Sequence, residues 1–511
     1  MTLDVSDTAF DAAYAAGRPQ ILYRRLVDDL ETPVSAYLKM AHGRPYSFLF
    51  ESVEGGAWRG RYSAIVMAPE LVWRCRGDRA EIARDEGQGL GAFEPDPEPA
   101  LDSLKRLIAQ SRMDLPEGLP AMTAGVFGVL GYDMIRLAER LGEPNPDPLD
   151  LPDGILVRPS LMAIFDAIAQ EILLVAVVRP SARSAAQARA AAETQLFEAA
   201  EALTHPLPRS RGRGEPSDAP VLAPGLERAA YGDLVARAKA YIRGGDIFQV
   251  VPSHRFSMDF DLPPFSLYRS LRRTNPSPFL FHLAFPDFTL IGSSPEILVR
   301  VRDRKITIRP IAGTRPRGET PEEDAALEAD LLADEKERAE HLMLLDLGRN
   351  DVGRIALLRD AGGNAPPPAG PSLPRVRVTQ SFTVERYSHV MHIVSNVEGD
   401  APEGLDPVEA LLAALPAGTL SGAPKIRAME IIDELESVKR GVAYAGAVGY
   451  FGADGSLDTC IVLRTGLIKD GKLYVQAGGG VVADSDPDTE YDETLHKSRA
   501  LARAAAEAWR F

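Results

Sequence analysis

The sequence has little cysteine and a minority of basic residues. Its 511 residues include two cysteines, Cys75 and Cys460. Two cysteines exclude a disulfide framework and a cysteine-rich zinc site. Lys and Arg number 57 against 73 Asp and Glu, which gives a formal net charge of -16. This acidic balance argues against sequence-independent binding of nucleic acid, which requires a basic surface.

Long hydrophobic runs are also missing. The longest aliphatic run, Ile172 to Val178, is too short to span a bilayer. The N-terminus carries Asp4 and Asp7 without a basic region, so it is not typical of a secretory signal. The composition is 45% hydrophobic and 25% charged, which is ordinary for a globular fold. We therefore expect a soluble, cytoplasmic protein.

Two segments rich in proline and glycine punctuate the chain. Residues 204–225 are predicted to link an N-terminal segment, 1–203, to a C-terminal region, 226–511. Residues 361–374 are predicted to be a surface loop or insertion. Strand-like runs come in groups, which indicates mixed sheets with helices outside. The predicted elements around the later motifs are a helix over Tyr231–Arg243, a strand over Gln249–Phe256, one long helix over Glu322–Leu347 and a final helix over Asp488–Trp509.

Two pairs of acidic residues have helical spacing. Glu337 and Glu340 are three residues apart, as are Glu490 and Glu493, so each pair shares a helix face. Asp486-Pro487 indicates a helix start just before the second pair. Two such helices facing each other would hold Mg²⁺, which prefers oxygen ligands and water. On spacing alone, a solvated face with ion pairs to nearby lysines and arginines is the commoner arrangement.

Three glycine-dense turns, an arginine and two histidines are further candidates. Turns at 311–318, 417–425 and 476–481 allow close backbone approach, although each alone is a weak signal. Arg464 lies in the apolar run 460–466, where a mid-strand arginine needs a carboxylate partner, either a ligand or an internal Asp or Glu. His389 and His392 would lie on opposite faces of a strand, so they are not a metal pair. Either is a candidate acid or base, and a hydrogen-bonded core histidine is the alternative.

Long sequence strings carry a family resemblance. They are Gly131-Tyr-Asp-Met-Ile-Arg136, Gly245-Asp-Ile-Phe-Gln-Val-Val-Pro-Ser253, Asn275-Pro-Ser-Pro278, Gly292-Ser-Ser-Pro-Glu296, Pro310-Ile-Ala-Gly-Thr-Arg315, Glu340-His-Leu-Met, Asp346-Leu-Gly-Arg-Asn-Asp351, Gly418-Thr-Leu-Ser-Gly-Ala-Pro-Lys425 and Ala477-Gly-Gly-Gly480. Together they resemble the chorismate-binding enzymes, and among them the anthranilate synthase component I family, from about Ile21 to Ala505.

The resemblance implies both a fold and an activity. The fold is α+β, with large mixed or antiparallel β-sheets packed as a sandwich and helices on the outside. The activity is a Mg²⁺-dependent lyase reaction that converts chorismate and ammonia to anthranilate and pyruvate, the first committed step of tryptophan biosynthesis.

The resemblance also assigns roles by position. Glu340 and Glu493 resemble the direct Mg²⁺ ligands, with Glu337 and Glu490 in support through water. Catalytic positions are His392 beside the leaving pyruvate, Glu296 as the acid for the departing C4 hydroxyl, and Thr419. The positions that resemble substrate contacts are Gly313, Thr314, Tyr444, Arg464, Gly478, Gly479 and Gly480.

Two positions distinguish this chain from sibling enzymes. Relatives that add water have a lysine base where this chain has Gln249, and a neutral amide cannot deprotonate water. Aminodeoxychorismate enzymes have a lysine where this chain has Ala312. Both differences favour anthranilate formation. The alternatives are the large subunit of aminodeoxychorismate synthase and a catalytically silent tryptophan-binding regulator, which would not need the intact catalytic set.

The N-terminal strings Leu49-Phe-Glu-Ser52 and Arg61-Tyr-Ser63, with Pro278-Phe-Leu280, resemble the family's tryptophan feedback site. The implied effector residues are Glu51, Ser52, Pro278, Phe279 and Leu280. Phe50, Phe279 and Leu280 depart from the usual family residues but are similar in size. Alternatively, Phe50 and Phe279 are simply core residues.

Neither cysteine lies in a segment suited to a glutaminase nucleophile. Ammonia must then come from solution or from a separate glutamine amidotransferase subunit, component II. The family resemblance implies a heterotetramer of two large and two small subunits.

Overall fold

The structure is a computed structural model that describes residues 7–52, 60–87, 89–207, 221–358, 376–387 and 390–511. The predicted insertion at 361–374, most of the predicted linker, and His389 lie outside these residues. The helices are α1 Asp7–Ala15, α2 Pro33–Met40, α3 Ala100–Gln110, α4 Ala185–Thr204, α5 Arg228–Gly244, α6 Pro264–Thr274, α7 Pro321–Ala333, α8 Glu335–Ala356, α9 Pro407–Ala414, α10 Lys425–Leu435 and α11 Pro487–Glu507.

The strands span both sides of the predicted linker. They are β1 Gln20–Val27, β2 Ser47–Glu51, β3 Tyr62–Arg76, β4 Arg79–Arg84, β5 Glu94–Pro99, β6 Val126–Leu130, β7 Gly154–Asp166, β8 Glu171–Val178, β9 Ala223–Pro224, β10 Gln249–Val250, β11 Ser253–Asp259, β12 Phe279–Ala284, β13 Thr289–Ser294, β14 Ile297–Arg302, β15 Lys305–Ile308, β16 Ile311–Pro316, β17 Arg377–Arg386, β18 Val390–Asp400, β19 Gly422–Ala423, β20 Ala447–Phe451, β21 Leu457–Ile461, β22 Thr465–Lys469 and β23 Lys472–Gly478.

Within the described residues, 21 of these strands form one hydrogen-bonded network, and β10 and β19 form a separate pair. From the N-terminal strands the network runs in two branches. One branch continues from β2 through β12, β13, β22 and β23 to β11. The other continues from β6 through β20, β21, β14 and β15 to β18. Every described strand pair is antiparallel, and helices accompany the sheet, so the predicted α+β class is confirmed.

Apolar residues on the strands and helices bury the interior. Helices α6 and α11 pack on the first branch, where Phe256, Leu267, Val475 and Leu501 share one core cluster. Helices α8 and α9 pack on the second branch, against strands that include β14 and β18. The branches therefore place helices outside and leave the ends of β13, β14, β21 and β22 together in the interior.

Several predicted elements have different bounds in the structure. The strand predicted over Gln249–Phe256 is interrupted between β10 and β11, where Pro252 has no backbone N–H for a strand ladder. The single helix predicted over Glu322–Leu347 is wrong, because α7 ends before Asp334 and α8 begins after it. The Asp334 carboxylate accepts hydrogen bonds from the amides of Lys336 and Glu337, at 3.0 and 3.1 Å, and so caps α8.

The helix ends around the site match their sequence signals. Helix α5 ends at Gly244 and is capped by Gly245, whose φ of 83° is left-handed and suits a residue without a side chain. Asp486 caps α11, and Pro487 occupies its first turn, as predicted. None of the described helices is long and apolar enough to cross a membrane. The division into 1–203 and 226–511 stays a prediction.

Candidate active site

The chain crosses between the two branches at two adjacent points. Residues 295–296 lead from β13 into β14, and residues 462–464 lead from β21 into β22. Hydrogen bonds join the crossings, because the Ile461 amide donates to the Glu296 carbonyl at 3.0 Å and the Ser293 amide donates to the Arg464 carbonyl at 3.3 Å. The fold therefore brings Glu296 and Arg464, which are far apart in sequence, into one buried region.

Glu296 is a buried carboxyl group that retains its proton near neutral pH. Burial raises its pKa to about 8, although contacts with Thr419, the Ile311 amide and Arg464 act in the opposite direction. The Thr419 hydroxyl lies 3.4 and 3.5 Å from the two carboxyl oxygens. A protonated carboxyl in this position is suited to general acid catalysis.

Arg464 does not lie mid-strand, as the apolar run predicted, but in the second crossing. Its φ is 48°, an unusual conformation for a residue with a side chain. Burial lowers its pKa, and Tyr387 and Glu296 act against that effect. Among the described residues, its guanidinium makes no ion pair with an Asp or Glu, so the predicted internal partner is not seen there. The fork therefore remains available for a ligand carboxylate.

His392 lies in β18 with its ring held by β16. Its Nδ1 is 2.9 Å from the Gly313 carbonyl oxygen and 3.1 Å from Thr314 Oγ1. Burial, with a further contribution from Arg464, lowers its pKa to about 4, so the ring is neutral at pH 7. Because a carbonyl only accepts, Nδ1 carries the proton and Nε2 presents a lone pair.

The first acidic pair lies in the opening turns of α8. Burial, together with the charges of Glu337 and Glu493, raises the pKa of Glu340 to about 7. Glu337 also has a raised pKa, mainly from burial and Asp334, while Arg315 acts against it from 3.6 Å. Glu340 and Glu493, on two different helices, are therefore close enough to repel each other.

The second acidic pair lies near the start of α11, together with Lys497. Glu490 is buried, and its Oε2 has no hydrogen-bond partner in the described part of the chain. Lys497 Nζ lies 2.7 Å from Glu493 Oε1 and donates to the Gly478 carbonyl at 2.9 Å. Sequence reasoning treated Lys497 only as part of a possible solvated face. The signal that could have identified Lys497 as a site residue is its spacing of four residues from Glu493, which puts both side chains on one helix face.

Glycines of the predicted turns lie between these groups. The three consecutive ones, Gly478, Gly479 and Gly480, are called the glycine wall below. A side chain at Gly479 would meet Glu490 Oε2 at 2.6 Å, and one at Gly480 would meet Gln249 Nε2 at 2.5 Å. Gly313 has a φ of 68°, and a side chain at this position would meet Glu337 Oε2 at 3.3 Å. Ala312 in β16 is buried beside this turn. The glycines are therefore required for the carboxylates and Gln249 to approach the backbone.

The acidic residues fit a magnesium ion in their chemistry. Across the described ranges, no three His, Cys, Asp or Glu side chains are already arranged around a metal position. Mg²⁺ commonly uses only one or two carboxylates, with water and substrate oxygens as its other ligands. The unpartnered Glu490 oxygen and the mutual repulsion at Glu340 are both conditions that a cation would relieve.

The predicted effector residues lie around a second buried polar group, centred on Glu51 in the first branch. Glu51 pairs across the strands with Leu280 and accepts hydrogen bonds from Arg272 at 2.8 and 3.0 Å and from the Tyr268 hydroxyl. Ser52 follows directly, Phe279 precedes Leu280 in the partner strand, and Pro278 lies just before that strand. Phe50 and Phe279 are partly buried against the core, which agrees with the alternative that they are packing residues.

Comparisons with known proteins cover almost the whole chain. The family of chorismate binding enzymes matches residues 46–503. Anthranilate synthase component 1 of Cereibacter sphaeroides is 54% identical over 504 residues, which is 98% of each chain. The protein of the same description from Pseudomonas putida is 48% identical and covers 94% of this chain and 93% of its own.

A solved structure agrees with these relatives. Anthranilate synthase component I from Streptococcus pneumoniae superposes with a TM-score of 0.73 at 36% identity. The match covers 94% of this chain and 99% of the other. Sequence and fold therefore place the chain among the same proteins.

Proposed function

The chain belongs to the chorismate-binding enzymes, and we propose on this premise that it is the anthranilate synthase component that converts chorismate and ammonia to anthranilate and pyruvate. The observation that carries the proposal is that two complementary groups lie on adjacent crossings. Arg464 has no carboxylate partner among the described residues, and Glu296 retains its proton. Chorismate offers the complementary groups, a carboxylate for the arginine and a C4 hydroxyl that leaves only when protonated.

Arg464 and the glycine wall bind the enolpyruvyl carboxylate. The guanidinium offers parallel N–H donors, and the amides of Gly478, Gly479 and Gly480 add further donors. Tyr444 is buried, and burial raises the pKa of its hydroxyl, so it remains a neutral donor. Gly313 and Thr314 contact the substrate from β16. The effect is to hold the ring in one orientation before reaction.

Glu340 and Glu493 would hold Mg²⁺, with Glu337 and Glu490 in support through water. Glu493 has one oxygen engaged by Lys497 and the other available. When bound there, the ion would supply Lewis-acid polarisation of the ring carboxylate, which favours addition to the conjugated ring.

Glu296 donates a proton in the reaction, and His392 is suited to accept one. Ammonia forms a bond to C2 as the C4–O bond breaks, and the Glu296 proton goes to the departing hydroxyl, which leaves as water. The new ammonium group loses a proton, which restores the Glu296 acid. The C2–H and C3–O bonds then break: the C2 proton passes to a base, the side chain leaves as enolpyruvate and takes up a proton at its methylene carbon to become pyruvate, and the ring becomes aromatic. His392 is neutral and presents Nε2, so it is suited to accept a proton beside the leaving group. Thr419 holds the Glu296 carboxyl in place.

Gln249 and Ala312 favour amination over the sibling reactions. Gln249 is buried beside Gly480, and its Oε1 has no partner among the described residues. An amide in this position cannot act as a base for water, whereas ammonia needs none. Ala312 leaves no amine near Gly313 to attack the ring.

A separate glutamine amidotransferase subunit supplies the ammonia. Cys75 and Cys460 are both buried, and burial raises the pKa of each thiol, to about 12 for Cys460. Neither is therefore an activated nucleophile. Ammonium salts should support turnover by the chain alone, whereas glutamine should require the added partner. Release of glutamate from glutamine by the isolated chain would overturn this assignment.

The assembly operates in the cytoplasm as a heterotetramer of two large and two small subunits. Tryptophan inhibits by binding at Glu51, Ser52, Pro278, Phe279 and Leu280. This segment is connected to the reactive groups, because Phe279 pairs with Ser294 across β12 and β13, and the neighbouring Ser293 bonds to the Arg464 carbonyl. A molar mass measured with the partner present tests the assembly.

The test of the central activity is product identification. The purified chain is incubated with chorismate, Mg²⁺ and ammonium at alkaline pH. The products are then separated and identified by mass spectrometry. Anthranilate and pyruvate in equal amounts are expected. An amino product that retains the enolpyruvyl group would instead indicate aminodeoxychorismate synthesis, and tryptophan binding without turnover would indicate a regulator.

A further inference from the structure

Arg440 is a fully buried cation at the centre of the substrate-binding loops. It follows α10 in the chain, and 2% of its surface is exposed. Its Nε lies 2.9 and 3.2 Å from the two oxygens of Glu436. One terminal nitrogen donates to the Leu420 carbonyl and the other to the Val251 carbonyl, each at 2.7 Å. Its guanidinium also lies 5.3 Å from the centre of the Tyr444 ring.

Each of these partners adjoins a residue of the active site. Leu420 follows Thr419, whose hydroxyl contacts Glu296. Val251 lies two residues after Gln249, which adjoins Gly480. The contact with Tyr444 reaches the proposed pocket for the enolpyruvyl carboxylate directly. One side chain thus joins three loops that come from distant parts of the sequence.

The ion-pair partner extends this network to the glycine wall. Glu436 accepts hydrogen bonds from the amide and the hydroxyl of Ser253, each at 2.8 Å. Ser253 pairs with Gly478 across β11 and β23, and its hydroxyl also accepts from Gln476 Nε2 at 2.8 Å. Movement of Glu436 would therefore displace the strand end that leads into the three glycines.

We propose that Arg440, held by Glu436, is a positioning residue that fixes Thr419, Tyr444 and the Gly478 strand end relative to one another. The proposal rests on the proposed amination of chorismate, because those residues form its substrate site. Arginine is required because its planar fork offers five donors in fixed directions, whereas lysine offers three around a single nitrogen. Lysine at this position keeps the charge but cannot reach both carbonyls and the carboxylate together.

The test is the steady-state kinetics of Arg440→Lys in the full chain with saturating ammonia and Mg²⁺. We expect kcat/KM for chorismate to fall at least about tenfold, with an increased KM, because displaced loops bind the substrate carboxylate poorly. The pH profile of kcat supplies a second readout. The Thr419 hydroxyl lowers the pKa of Glu296, as Arg464 and Lys497 also do. Loss of the Thr419 contact should raise that pKa and shift the alkaline limb to higher pH.

Arg179→Lys is the matched control. Arg179 is another largely buried arginine, paired with Glu70 at 2.5 Å, and its partners adjoin no residue of the proposed site. It should lower the melting temperature but leave KM and the pH profile unchanged. Glu436→Gln should shift KM and the alkaline limb in the same direction as Arg440→Lys, and it carries the test if Arg440→Lys does not fold.

The outcomes separate the two proposals. If the wild-type chain makes no anthranilate, the proposed function fails. If the wild type is active and the variants at Arg440 and Glu436 lower only the melting temperature, with wild-type KM and pH profile, Arg440 is merely structural and the positioning role is overturned.

Discussion

The buried polar group around Glu51 and the one around Arg464 and Glu340 differ in how their charges are balanced. Around Glu51, in the first branch, the chain itself supplies the counter-charge and donors, from Arg272 and Tyr268. Around Arg464 and Glu340, the chain leaves an arginine without a carboxylate partner and brings Glu340 and Glu493 close enough to repel each other, although Lys497 pairs with one oxygen of Glu493. A buried charge is costly unless it is paired. The central group is therefore complete only with a ligand, whereas the group at Glu51 is complete without one.

This difference indicates what each site uses for binding. On the proposed function, a substrate carboxylate and Mg²⁺ would complete the charges of the central site. The proposed effector site has no such deficit at Glu51, so tryptophan bound there would gain its affinity from donors, acceptors and apolar contacts around a carboxylate that is already neutralised. Changes at the central site should therefore abolish turnover, and changes at the effector site should alter only regulation.

The largest expected effect comes from removing a charge from the acidic cluster. Glu340→Gln or Glu493→Gln should lower turnover at least about a hundredfold while the fold remains intact, because the Mg²⁺ site loses a ligand. Anthranilate fluorescence with Mg²⁺ and with EDTA measures this effect. The matched control is Glu335→Gln, an exposed position in the first turn of the same helix as Glu340, which should retain wild-type activity. Undiminished turnover of either site variant in EDTA would contradict the metal assignment.

A smaller but still severe effect is expected when Arg464 is replaced by lysine, which has the same charge but a different shape. Arg464→Lys should cost about 2–5 kcal/mol in kcat/KM for chorismate, because lysine cannot form the two parallel hydrogen bonds of the guanidinium. Arg300→Lys, on β14 and paired with Asp458, is the control. Equal kinetics for the Arg464 variant and the parent would show that this residue does not bind the substrate.

The pH dependence of kcat should report the Glu296 proton. Its pKa of about 8 means that the acid is protonated below that pH and loses its proton above it. With the concentration of free ammonia held saturating, kcat should therefore be level below about pH 8 and decline above it. Glu296→Gln should be nearly inactive and should lack this limb. An alkaline limb that persists in that variant would assign the proton to another group.

The smallest effect on turnover is expected at the effector site. Ser52→Phe should fill the space beside Glu51 and relieve tryptophan inhibition, with the ammonia-dependent rate changed less than about twofold. In the wild type, chorismate with Mg²⁺ should weaken tryptophan binding by the same factor that tryptophan weakens chorismate binding. Inhibition curves for the variant and the parent that coincide would locate the regulatory site elsewhere.

Local sequence patterns predicted much of the secondary structure and both acidic helix faces. The spacing of Glu337 with Glu340, and of Glu490 with Glu493, identified the faces, but only tertiary packing brings Glu340 near Glu493. The residue roles came from the family resemblance. Asp334 was missed as a helix break because charged residues continue on both sides, although Asp334 followed by Glu337 is a capping signal.

Arg464 and Arg440 show why the remaining features were not predictable from local patterns. The run around Arg464 is apolar because the crossing is buried between two branches. A short apolar run of this kind is also typical of a buried strand, so the sequence pattern alone predicts one. Arg440 has partners at Leu420, Val251 and Glu436, and two of these are brought to it only by the fold. Charge deficits and networks of this type become visible only when distant segments are in contact.

The most direct test of the central claim is chorismate binding measured by calorimetry without ammonia, so that amination does not occur. The wild-type chain with Mg²⁺ should bind one chorismate per chain. Binding should weaken strongly with EDTA in place of Mg²⁺, and also in Arg464→Lys, because each change leaves part of the charge deficit uncompensated. Equal affinity in all three experiments would show that the unpaired charges of the central site do not bind chorismate.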